Sequence, residues 1–111
     1  MFVRQADAPV EQPDAGVTRQ ILGHDPHLML VRVTFAAGAV GYVHHHPHRQ
    51  VSYVEQGTFD VRLGDATTVL HAGDCFFVPP DVPHGVVALE EGSLLDVFTP
   101  AREDFLPRGR G

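Results

Sequence analysis

From Val17 onward the apolar positions come in short runs broken by Gly, Pro and Asp. The runs cover residues 17–22 (VTRQIL), 28–35 (LMLVRVTF), 40–46, 50–56, 58–63, 67–71, 75–78, 84–90 and 93–98. Val, Thr, Phe and Tyr dominate them, and several alternate apolar with polar, the period of a strand with one buried face. None keeps a helical period over the ~10–12 residues a helix needs. Short strands spaced by about ten residues predict an all-β sandwich or barrel. Only 101–106 (AREDFL), after Pro100, suits a short helical turn. Residues 6–16 carry two Pro and little hydrophobicity, and read as a flexible lead-in or an edge segment.

The breaks have local causes. Gln56-Gly57 and Gly64-Asp65 each lie between strand-like runs, as tight hairpins need. His71-Ala72-Gly73-Asp74 turns into the run 75–78. Pro79, Pro80 and Pro83 bar 79–83 from a central strand, so this segment is a rigid loop delivering His84 to the next strand.

Composition narrows the options. The 111 residues suit one domain with a single core, with residues 1–16 ahead of a body at 17–111. The net charge is −6, and all eight basic residues are Arg, so the basic footprint of a nucleic-acid binder is missing. Cys75 is the one cysteine, which excludes an internal disulfide and a multi-cysteine zinc site. By analogy with other small apolar residues, Cys75 is expected to be buried. No apolar run approaches the ~20 residues of a membrane span, and Met1–Val10 lacks a signal-peptide pattern, so a cytoplasmic location is expected.

Eight histidines are many for this length, and the densest group is His44-His45-His46-Pro47-His48-Arg49-Gln50. On a strand, His44 and His46 share a face and form half a site for a divalent ion. Gln50 stands an even step further on, and His84 offers a third imidazole. Three imidazoles and one oxygen would leave open positions on the ion, as catalysis requires. An amide at position 50 leaves the ion its full +2 charge, which favours an anionic oxygen as its next ligand. Gln50 could instead only hydrogen-bond a ligand histidine.

This pattern resembles the two cupin motifs. In the first, Gly38 is followed by five residues, His44-His45-His46, three residues, Gln50, six residues and Gly57. In the second, Gly73 is followed by five residues, Pro79, one residue, Asp81 where Gly is usual, two residues and His84. The resemblance implies a small RmlC-like jelly-roll β-barrel with one divalent metal (Zn, Ni, Mn or Fe) held by His44, His46, Gln50 and His84.

The segment 95–104 (LDVFTPARED) and the His-x-His-Pro-His run are similar to the pectin-degradation cupins of the KdgF type. That resemblance implies ring opening of a 4,5-unsaturated uronate sugar, with Asp96, Phe98 and Arg102 lining the pocket. Asp96 and Phe98 share a strand face, and a buried carboxylate there needs a partner or a function. Arg102 is the expected partner, or a clamp for a substrate carboxylate. Asp96 and Arg102 are therefore the candidate catalytic residues, and Phe98, Ser52 and Arg102 the candidate substrate contacts. Ser52 has the parity of Gln50. Two other readings stay open: a cupin dioxygenase using the same ligands, and a non-catalytic sugar-binding cupin. Met1-Phe2-Val3, ahead of the lead-in, is expected to reach a second copy in a homodimer.

Overall fold

A computed structural model describes residues 1–107. Ten strands form: β1 (Glu11–Asp14), β2 (Val17–Asp25), β3 (Leu28–Phe35), β4 (Val40–His44), β5 (Arg49–Gln56), β6 (Thr58–Leu63), β7 (Ala66–His71), β8 (Cys75–Val78), β9 (His84–Ala88) and β10 (Gly92–Thr99). All pairings are antiparallel. One sheet has the order β1-β2-β3-β10-β5-β8 and the other β4-β9-β6-β7. The two sheets face each other as a jelly roll, the all-β architecture expected from the strand pattern.

Alternation along the strands decides what lies between the sheets. On β5, Gln50, Ser52 and Val54 are buried, while Val51 and Tyr53 face out. On β10, Leu94, Asp96 and Phe98 turn inward, and on β9 His84 and Val86 do so. The main core packs Val17, Phe35, Val54, Phe59, Phe76, Val78 and Leu94 from the facing sheets. Phe35 and Phe59 meet edge to face at 5.2 Å. A second cluster of Met29, Val31, Phe98 and Ala101 fills the end where the C-terminal segment crosses. Gln50 and Asp96 lie along β5 and β10 between these two apolar clusters.

The strands largely follow the sequence pattern, the edge segment and the short C-terminal turn included, and the difference lies at β4. Residues 11–14 form a strand at the sheet edge, pairing with the chain's own β2. Strand β4 ends at His44, so His45–His48 is a loop rather than a continuation. The C-terminal turn is one 3-10 turn, Glu103–Phe105. Gly57 has φ +85°, and a Cβ there would stand 2.7 Å from the Glu91 carbonyl oxygen, so the β5–β6 hairpin requires glycine. No helix among the described residues is long and apolar enough to cross a membrane.

Candidate metal centre and its cavity

Two strand ends and one loop bring the histidines together. His44 closes β4 and lies opposite His84, which opens β9. Their ring centroids are 4.4 Å apart. His46 comes from the 45–48 loop, not from a shared strand as the spacing suggested; Pro47 ends the pairing. Its ring lies 5.4 Å from that of His44 and 4.8 Å from that of His84. The loop is fixed by the Asp81 amide, which donates to the His46 carbonyl at 2.8 Å. Asp81 itself has φ +63°, a left-handed conformation that Asp tolerates better than most residues. That conformation explains why Gly is usual at this position. The proline loop therefore positions His84 directly and His46 through a backbone hydrogen bond.

The protons on these rings are also set. Nδ1 of His44 faces the Tyr42 carbonyl at 2.8 Å, that of His46 the His48 carbonyl at 3.2 Å, and that of His84 the Val82 carbonyl at 2.9 Å. A carbonyl only accepts, so Nδ1 of His44 and of His84 carries the proton and Nε2 of each a lone pair; His46 faces an acceptor at both nitrogens, and its Nε2 is a lone pair in the Nδ1–H tautomer. One ligand atom from each of the three histidines lies within 4.8 Å of the others. His84 Nε2 is buried with no protein partner among the described residues. Burial pulls the His84 imidazole down to about 4. Burial, then the Arg102 charge, lowers His46. Both rings are thus held neutral, the form that binds metal. His44 is exposed, so the cluster opens to solvent on its side rather than being enclosed.

Gln50 completes the donor set. Its Oε1 lies 3.0 Å from His46 Nε2, while its Nε2–H donates to Ser52 Oγ at 2.8 Å. Ser52 in turn donates to Asp96 Oδ1 at 2.6 Å. Strand register explains the chain of contacts: Gln50 pairs with Phe98 and Ser52 with Asp96 across β5 and β10. Burial pushes the Asp96 carboxyl up to about 6, against the opposing effects of the Ser52 hydrogen bond and the Arg102 charge.

These residues border a cavity of 390 Å³ between the sheets, lined by His44, His84, Gln50, Asp96, Phe98 and Arg102 at its polar end. Val17, Val33, Phe35, Phe76, Val86 and Leu94 make its apolar wall. Neutral imidazoles, an amide oxygen and an orphaned buried Nε2 fit a divalent cation.

The cupin domain family matches residues 31–98, a span holding all four of these donors. The chain belongs to the cupin family. It is 42% identical over 102 residues to the "Pectin degradation protein KdgF" of Dickeya dadantii (strain 3937), covering 90% of this chain and 93% of that protein. Among solved structures, an RmlC-like cupin from Shewanella frigidimarina superposes with a TM-score of 0.92 at 48% identity, covering 95% of each chain. KdgF from Halomonas sp. superposes with a TM-score of 0.91 at 40% identity, covering 96% of this chain and 98% of that one.

Within this cupin the remaining expected residues fall as follows. Arg102 does not pair with Asp96. Its Nε and Nη2 donate to the two carboxylate oxygens of Asp104, at 3.0 and 2.8 Å. The 3-10 turn brings these two side chains together locally, whereas reaching Asp96 would strand Asp104. Phe98 lines the cavity as expected and meets the His46 ring edge to face at 5.8 Å. Ser52 is fully buried behind Gln50 and Asp96 and does not line the cavity, so it holds those two side chains. Cys75 is exposed rather than buried, because Phe76 and Val78 take the inward positions of β8. His48 is half-buried, its ring 5.3 Å from that of His46. Arg19 and Phe105 are among the cavity residues that the sequence pattern did not single out. Arg19 had a signal: it shares the strand parity of Val17, so it points a guanidinium toward an apolar face.

Proposed function

We propose that this cupin is a metal-dependent enzyme that opens the ring of a 4,5-unsaturated uronate monosaccharide, the kind of product left when a lyase cleaves pectin. The supporting observation is the buried chain Gln50–Ser52–Asp96, which ties a proton-carrying carboxyl to the metal donor set inside one cavity. Two relatives that cover nearly all of this chain carry the name KdgF, one of them as a pectin degradation protein.

The reaction is an isomerisation. A base takes the proton of the C1 hydroxyl. The C1 carbonyl forms, and the bond from C1 to the ring oxygen breaks, leaving its electron pair on that oxygen. The resulting enol takes a proton at C4 and becomes a ketone at C5, so no atom is gained and no oxidant is needed. Asp96 suits both transfers, because a carboxyl near 6 exchanges protons readily at neutral pH. A divalent ion at His44, His46, Gln50 and His84 supplies Lewis-acid polarisation of a substrate oxygen when bound. Arg102, fixed by Asp104, keeps a positive charge beside Asp96, and Phe98 offers the sugar an apolar face.

The test is an ultraviolet assay of the metal-loaded protein on unsaturated uronate monosaccharide with oxygen excluded. Loss of the absorbance of the conjugated double bond, with product mass equal to substrate mass, is the expected result. A requirement for oxygen would turn the reading to a dioxygenase. Binding without turnover would turn it to a sugar-binding cupin.

The same reading takes the protein as a homodimer. Met1 and Phe2 are 90% and 104% exposed, an apolar end with nothing among the described residues to pack against.

A further inference from the structure

Two guanidinium groups line the cavity, and they are committed differently. Arg102 uses Nε and Nη2 on Asp104. Arg19 on β2 donates only Nε, to Glu11 Oε1 at 3.1 Å; among the described residues neither of its Nη atoms has a partner. Its Cζ lies 3.9 Å from the centre of the Phe105 ring, and Arg102 Cζ lies 4.2 Å from the same ring. Phe105 packs against Phe98, which packs against His46. A line of edge-to-face ring contacts thus runs from His46 to Phe105, on which Arg19 lies. Stacking and the Glu11 contact fix the guanidinium plane while leaving the two-pronged Nη edge free, and an Arg so preorganised loses little entropy on binding a carboxylate. A half-exposed Glu11 contributes little to stability by itself, so the pair serves orientation better than folding.

We propose that Arg19 is the carboxylate anchor of the cavity, a specificity-determining residue that selects uronates over neutral sugars. The choice of a uronate as ligand rests on the function proposed above. Glu11 is the orienting residue, which gives strand β1 a place in the binding site.

The experiment compares wild type, Arg19→Gln and Arg19→Lys, each metal-loaded. Calorimetric titration with D-galacturonate reads the anchor without turnover, and D-galactose is the control lacking the carboxylate. Arg19→Gln should weaken galacturonate binding by about 10–100-fold, the usual effect of losing a charged hydrogen-bonded pair, and leave galactose binding unchanged. In the ultraviolet assay it should raise KM by a similar factor with kcat within about threefold, because the contact is equal in ground and transition states. Arg19→Lys keeps the charge but not the fork and should fall between; it is read alone if Arg19→Gln does not fold. Galacturonate affinity unchanged in the variants, or undetectable in wild type, overturns the anchor. Arg19-dependent galacturonate binding without any turnover keeps the anchor and overturns the proposed reaction.

Discussion

His46 Nε2 and Gln50 Oε1 lie 3.0 Å apart, the spacing of a hydrogen bond when the ring carries its proton on Nε2 and of two ligands of one ion when it does not. In the Nδ1–H tautomer the His46 proton points to the His48 carbonyl and the Gln50 amide donates to Ser52, so Nε2 and Oε1 face each other as two acceptors. Two acceptors at hydrogen-bond distance repel unless something positive sits with them. Two ligand atoms at right angles, each about 2.1 Å from one ion, are about 3 Å apart, so the spacing suits shared coordination.

Replacing Gln50 by Leu should therefore cost both stability and metal affinity. The metal-free variant loses the Gln50 contacts with His46 and Ser52 while Ser52 keeps its bond to Asp96, so it should be less stable than metal-free wild type by about 1–3 kcal/mol. Its metal affinity should fall at least about tenfold. Calorimetry and urea titration on the same preparations check both parts.

Asp96 gives a pH signature. Its folded value of about 6 lies above the ordinary 3.8, so between these values the native state holds a proton that the unfolded chain has released. Stability then falls as pH rises through this window, and the full penalty is present above about 6. Asp96→Asn removes the charge and keeps an acceptor for Ser52. In metal-free protein it should be more stable than wild type at pH 7.5, by on the order of 2–3 kcal/mol, and no more stable at pH 4. The same variant should lose about 10²–10⁴ in kcat. Urea titrations at the two pH values and the ultraviolet assay measure these effects.

Ser52 tests the link between the donor set and the proton carrier. Ser52→Ala leaves the Gln50 amide and the Asp96 carboxylate without their buried partner. We expect a stability loss of about 1–3 kcal/mol. The distinguishing readout is the pH–rate profile, whose Asp96 limb should move up because the Ser52 hydrogen bond holds that carboxyl down. A purely packing role would leave the profile in place.

Size-exclusion chromatography with light scattering tests the dimer. The full chain should run at about twice its 12.1 kDa mass, and a chain lacking residues 1–3 should run as a monomer.

The candidate donors His44, His46, Gln50 and His84 were legible because Gly, Pro and strand parity mark where the chain turns and which way it faces, although His46 reaches the cluster from a loop. Asp96 and Phe98 were legible for the same reason, as an inward carboxyl and ring on one strand. The pairing of Arg102 was not, because a single 3-10 turn decides between Asp96 and Asp104 and strand periodicity says nothing about turns. The role of β1 was hidden as well: Glu11–Asp14 is polar and broken by Pro13, and only its pairing with β2 brings Glu11 to Arg19. Cys75 was misjudged from residue type, although the parity of Phe76 and Val78 already placed it outward.

The most direct measurement is calorimetric titration of chelator-stripped protein with Zn²⁺ or Ni²⁺, wild type beside His84→Ala. Gathered donors predict one ion per chain, with affinity at least about 100-fold weaker once the buried imidazole is gone. Equal affinity in the variant, or no binding by wild type, would contradict the metal centre.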